Sequence, residues 1–138
     1  MKVFTSDKQK TGEIGEEVVC KFLMKHGHEI LERNYTKKWG EIDIVSVTRE
    51  TDNFATILHF IEVKSIKVGN LDQVKYMHYD PAQNMHPMKA RRLLRTIETY
   101  LLERKVSFKT KVCIDLACAY LDMKNKTGRV VMYEDLIL

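Results

Sequence analysis

Two short runs decide the reading of this chain: Gly40-Glu41-Ile42-Asp43-Ile44-Val45 and Phe60-Ile61-Glu62-Val63-Lys64. Both are rich in the β-branched and aromatic residues that suit a strand. Both are also interrupted by charge. In the first, Asp43 stands between two isoleucines. In the second, Glu62 and Lys64 are two residues apart, so strand alternation puts them on one face, roughly 6–7 Å apart along the strand. If the two strands pair, Asp43 comes beside Glu62. Charge in an interior strand is costly unless it is paired or ligated.

Working outward, the strands should cover about residues 40–48 and 55–64. Arg49-Glu50-Thr51-Asp52-Asn53 lies between them as a polar turn, so a hairpin is expected. Another strand precedes them at about 29–35. Ahead of it, Ile14, Val18, Val19, Phe22 and Leu23 form a helical stripe over about 13–26. Thr11 is a suitable N-cap there, Glu13, Glu16 and Glu17 complement the positive end of the dipole, and Gly27 suits a left-handed C-cap. Residues 65–85 show no period and read as a long loop. Pro87 then opens a second helix, with Ala90, Leu93, Leu94, Ile97 and Leu101 at helical spacing up to about Lys105. A buried strand at 111–121 and a last one at 129–133 complete the order αβββαβ(β), an α/β sandwich with a central sheet.

The totals are permissive. The 138 residues suit one domain over 1–138, large enough for a real core. Hydrophobic residues make up 44% and charged residues 30%, which excludes a disordered chain. No apolar run approaches the ~20 residues of a membrane helix, and residues 1–8 lack a signal-peptide core. Cys20, Cys113 and Cys118 are odd in number and lack ligand spacing; Cys113 and Cys118, in an apolar strand-like run, read as core thiols, and a reducing cytoplasm fits best. The net charge is +4: residues 1–70 hold 11 basic and 11 acidic side chains, and residues 71–138 hold 12 and 8. That excess permits a polyanionic partner without requiring one.

Two converging carboxylates, Asp43 and Glu62, form a hard oxygen site suited to Mg²⁺ or Mn²⁺, and the Val63 carbonyl can add a third oxygen. A metal there polarises a phosphoryl oxygen and lowers the pKa of bound water. Lys64 would orient that water or stabilise developing negative charge. These parts describe phosphodiester hydrolysis. Plainer readings stand beside them. A Glu-x-Lys pair on a strand is often a solvated ion pair, and an inward acid can protect an edge strand from aggregation.

The runs Gly40-Glu41-Ile42-Asp43 and Glu62-Val63-Lys64 resemble the motifs of the PD-(D/E)XK nuclease superfamily. More closely, the chain resembles the YraN-like family of small bacterial predicted endonucleases. The likeness includes Gly12-Glu13-Ile14-Gly15-Glu16, Arg33-Asn34-Tyr35, Lys89-Ala90-Arg91-Arg92-Leu93 and Ile114-Asp115. It implies a restriction-endonuclease-like αβββαβ core, a mixed central sheet flanked by helices. It also implies metal ligation by Asp43 and Glu62, catalysis by Lys64 and support from Glu16. Similarity to archaeal Holliday-junction resolvases suggests branched or single-strand-containing DNA as substrate and a homodimer as assembly. The chain departs from the family pattern at Ser65-Ile66-Lys67, where an arginine is usual, at Cys113, and at Trp39.

Other residues carry two readings each. Glu16 is either a site member or dipole compensation. Gly12 and Gly15 mark either a close approach or a frayed helix start. Lys89, Arg91, Arg92 and Arg95 are either phosphate contacts or a solvated helix face, with Lys89 best placed to reach the metal. His26 and His28 flank Gly27 as caps, His59 should face away from Glu62, and His78 and His86 suit turns. Tyr76-Met77-His78-Tyr79 is either a stacking loop or a packed one. The expectation is a Mg²⁺-dependent endonuclease acting on DNA. Its rivals are a non-catalytic nucleic-acid-binding module and a structural protein in which Lys64 is clamped between the two acids.

Overall fold

The computed structural model describes residues 7–53, 55–77, 80, 83, 85–136 and 138. His78, Tyr79 and the start of the chain at 1–6 lie outside them. The elements are α1 (Asp7–Lys25), β1 (Glu29–Lys37), β2 (Gly40–Arg49), β3 (Thr56–Lys67), a 3-10 helix (Leu71–Tyr76), α2 (Pro87–Glu103), β4 (Lys111–Asp122) and β5 (Thr127–Tyr133). They build one five-stranded sheet in the order β1-β2-β3-β4-β5. β1–β2, β2–β3 and β4–β5 are antiparallel. β3–β4 is parallel, and α2 lies in the crossover that such a pair needs. This mixed α/β sheet flanked by helices fits a restriction-endonuclease-like core.

The two sheet faces have separate cores. On one, Val19, Cys20 and Leu23 of α1 pack on Ile44, Ile61, Ala117, Ala119 and Leu121. On the other, Leu93, Ile97 and Tyr100 of α2 pack on Tyr35, Ile42, Val45, Leu58 and Phe60. Burying each large apolar side chain stabilises the fold by ~1.5–3 kcal/mol. The three cysteines are free and buried.

The structure corrects several expectations. α1 begins at Asp7, so Thr11 is no N-cap; it is a buried residue inside the helix. The charged residues before it continue the helix because neither Pro nor a turn sequence stops them. Residues 65–85 are not a uniform loop. β3 runs on to Lys67 because β4 offers a parallel partner that far, with Lys67 opposite Leu121. The 3-10 helix follows, its first turn capped by the Asn70 side chain, which accepts from the Asp72 N–H at 2.8 Å. Val74 anchors it on Leu116, Cys118 and Tyr120. One short turn with one buried side chain leaves no periodicity to read.

His28 is also not a cap. Its Nδ1 lies 2.8 Å from Ser46 Oγ, and its ring is 4.6 Å from that of His59. His59 in turn bonds Asp115 Oδ2 (2.9 Å) and Thr48 Oγ1 (2.8 Å), while Asp115 Oδ1 accepts from the Asp135 N–H (2.8 Å). Asp115 is therefore buried and fully hydrogen-bonded on the α1 face. His59 does face away from Glu62, as alternation required. His26 is a cap: its Nδ1 contacts the Phe22 carbonyl at 2.7 Å. His86 is the N-cap of α2, accepting from the Met88 N–H at 3.2 Å.

Candidate active site

The hydrogen-bonded ladder between β2 and β3 ends at Ile44 opposite Ile61, one residue short of Asp43 and Glu62. Beyond that point β2 continues to pair with β1, and β3 with β4. The two strands thus part company at the charged residues. Asp43 bridges the opening: its Oδ2 accepts the Val63 N–H at 2.8 Å, taking the place of a ladder bond. An aspartate is needed there because its short side chain reaches a backbone donor that would otherwise be orphaned.

The opening is a cleft of about 580 Å³, lined by Thr11, Gly12, Glu16, Asp43, Glu62, Val63, Lys64, Ser65, Lys67 and Lys89. Four elements meet there: α1 brings Glu16, β2 brings Asp43, β3 brings Glu62 and Lys64, and α2 brings Lys89. α1 can lie so close to β3 only because residue 15 is glycine. A Cβ at Gly15 would sit 1.8 Å from Ser65 Oγ and 2.9 Å from Ser65 Cβ. Gly15 therefore marks a close approach to the sheet. Gly12 meets nothing within 4 Å and leaves the cleft wall open.

The electrostatics are those of a crowded acidic site. Burial first, and then the neighbouring Glu62, raise Asp43 to about 8 against the lowering effect of the Val63 N–H. Burial also raises Glu16, with nearby Glu41 adding and Arg33 and Asn34 opposing. Glu16 Oε1 is buried without a hydrogen-bond partner. Lys89 Nζ lies 2.9 Å from Glu62 Oε1. Lys64 is exposed and makes no ion pair with either acid, so the clamped arrangement of the structural rival is not what the fold contains.

These residues suit a hard divalent cation. Asp43 and Glu62 supply carboxylates beside the Val63 backbone, and the orphaned Glu16 oxygen is a further acceptor lacking a donor. Among the described residues, no group of three or more His, Cys, Asp or Glu side chains is arranged to hold a metal ion. Mg²⁺ does not require such a group, because it usually takes one or two carboxylates and completes its shell with water and phosphate.

Four basic residues of α2 divide by position. Lys89 enters the cleft. Arg92 borders a second depression at the β1–β2 turn, Arg95 stacks on Trp39 with its guanidinium carbon 4.3 Å from the ring centroid, and Arg91 is exposed. Sequence reasoning missed Thr11, Ser65, Lys67 and Asn34. Lys67 places a cation in the cleft close to where the family pattern carries arginine. Asn34 has φ +53°, a left-handed conformation that asparagine tolerates, and lies between Arg33 and Tyr35, which face Ile44 and Ile42 across the ladder. It thereby sits opposite Asp43 and near Glu16. Only its place in the Arg33-Asn34-Tyr35 run hinted at a role.

Comparison with known proteins supports the likeness to one family of small bacterial proteins. The chain is 38% identical over 112 residues to a UPF0102 protein of Campylobacter jejuni subsp. doylei, covering 81% of this chain and 85% of that one. It is 32% identical over 115 residues to one of Helicobacter pylori, covering 83% and 85%. A third, from Trichodesmium erythraeum, is 33% identical, with 97% and 76% covered. The profile of the uncharacterised protein family UPF0102 matches residues 15–125, a span that includes Glu16, Asp43, Glu62, Lys64 and Lys89. This chain belongs to that family.

Proposed function

We propose that the protein is a Mg²⁺- or Mn²⁺-dependent endonuclease of the PD-(D/E)XK type that hydrolyses phosphodiester bonds in DNA. The observation that carries this reading is the meeting of Glu16, Asp43, Glu62 and Lys64 from three separate elements in one cleft. Asp43, Glu62 and the Val63 carbonyl would hold the metal, which when bound polarises the phosphoryl group and acidifies water. Lys64 lines the cleft and pairs with no acid among the described residues, so it is available to orient the attacking water or meet charge on the phosphoryl oxygens. Glu16 borders the same space from the opposite wall, and its unpartnered oxygen is placed to accept a proton or a water hydrogen bond. The basic residues of α2 would contact the phosphate backbone.

The test is cleavage of duplex, single-stranded and branched DNA by the purified protein with Mg²⁺ or Mn²⁺. Activity is expected, and Asp43→Ala and Lys64→Ala should each abolish it while retaining the fold by circular dichroism. Cleavage that persists in both variants would refute the assignment.

The Glu62–Lys89 ion pair favours a second reading, a nucleic-acid-binding module without catalysis, because it occupies one acid with an internal cation. Under that reading the protein binds DNA with every metal tried and cuts none.

A further inference from the structure

Beyond the cleft, the β1–β2 turn and α2 enclose a second depression of about 470 Å³, lined by Thr36, Lys37, Lys38, Trp39, Gly40, Glu41 and Arg92. Its walls are fixed. A Cβ at Gly40 would sit 2.5 Å from Thr96 Oγ1 and 3.0 Å from the Arg92 carbonyl, so the turn lies directly on the helix. Lys37 is neutralised by Glu103, at 2.9 Å. Lys38 and Arg92, by contrast, are exposed and have no acidic partner among the described residues. Arg95 lies over the Trp39 ring and is likewise unpaired with any carboxylate among them. The Trp39 indole N–H is buried with no acceptor. Glu41 is the one acid on the rim. The balance is cationic, with a spare neutral donor, which is the chemistry that receives a phosphate.

Position links this depression to the cleft. Gly40 and Asp43 are three residues apart on β2, ~10 Å along an extended strand. On α2, Lys89 in the cleft and Arg92 in the depression are three residues apart and so share one face. A separation of ~10 Å is short enough for nearby phosphates of one strand to occupy both places.

We propose that the depression between the β1–β2 turn and α2 is a second phosphate-binding subsite. It holds the nucleic-acid strand close to the bond seated in the cleft, through Lys38, Arg92 and the Trp39 N–H. This rests on the nucleic-acid reading above and extends it to residues that carry no chemistry. Such contacts position the strand and read no sequence.

The chain has one tryptophan, so its emission reports on this depression alone. The experiment titrates a short DNA oligonucleotide with Ca²⁺ in place of Mg²⁺, following Trp39 emission and, with a labelled strand, anisotropy. Trp39 emission should change with the same midpoint as the anisotropy. Lys38→Ala and Arg92→Ala should each weaken binding several-fold and lower the slope of log affinity against log salt by about 0.7–0.9. Lys124→Ala, on the β4–β5 turn at the opposite edge of the sheet, should leave both unchanged. Binding with silent Trp39 emission and unaltered Lys38→Ala and Arg92→Ala would overturn the subsite while leaving the nuclease reading intact. Equal weakening by Lys124→Ala would overturn it too, as a bulk charge effect. Failure to bind any oligonucleotide would overturn both.

Discussion

Gly12 and Gly15 lie one turn apart on α1 and meet opposite surroundings. Gly15 touches Ser65, whereas Gly12 faces open space. Gly15→Ala should therefore destabilise the protein by about 1–3 kcal/mol through overpacking, and combining it with Ser65→Gly should recover part of the loss. Gly12→Ala should stabilise α1 by up to about 1 kcal/mol, the ordinary helix preference. Urea denaturation of the three variants checks both signs. A second residue, His28, carries a pH dependence. Burial, reinforced by the neighbouring His59, lowers its pKa to about 4 from the ordinary 6.5. Between those values the unfolded chain binds a proton that the folded one refuses, so stability is full above about 6.5 and falls as pH drops toward 4. His28→Gln should flatten that fall, measured as melting temperature from pH 7 to 4. A parallel fall in wild type and variant would show that His28 contributes nothing. At this scale Asp43, Glu62 and Lys64 were legible because charge inside an apolar strand has few explanations. Asn34 and His28 were not, because a left-handed backbone and a buried imidazole leave no mark on composition.

Among elements, α2 is held to the sheet in two ways of unequal strength. Its buried side is apolar, with Leu93, Ile97 and Tyr100 against Tyr35, Ile42 and Phe60, and the Tyr100 ring meets Tyr35 and Phe60 edge-on. Its exposed end carries ion pairs from Glu103 to Lys37 and from Arg104 to Glu32. Solvent screens such pairs. Ile97→Ala should cost about 2–5 kcal/mol by leaving a cavity, whereas Glu32→Ala should leave the unfolding midpoint nearly where it was. If Glu32→Ala proved the more damaging, the ion pairs would be the principal tie. The helices and strands were readable because their periods of 3.6 and 2 are imposed by the face they bury. Their ends were less so. α1 starts earlier than its apolar stripe, and β3 runs past Lys64 because a neighbouring strand continues to pair with it. That information resides in β4, not in the residues of β3.

For the whole molecule, the order αβββαβ(β) foretold a sheet, and the polar turn at 49–53 foretold that β2 and β3 neighbour, which brings Asp43 near Glu62. What the chain does not display locally is where the sheet opens. The β2–β3 ladder stops just before the two acids, and α1 reaches across with Glu16 because Gly15 lets it approach. The cleft is a product of topology, assembled from residues 16, 43, 62, 64 and 89. Its acids repel one another and one is poorly solvated, and the proposed divalent cation would relieve both. The measurement that bears most directly on this is calorimetric titration of Mg²⁺ or Mn²⁺ into the wild-type protein and into Glu62→Ala. Saturable binding to the wild type that is lost or strongly weakened in Glu62→Ala is the predicted result. Absence of saturable binding to the wild type, or undiminished binding to the variant, would contradict the account.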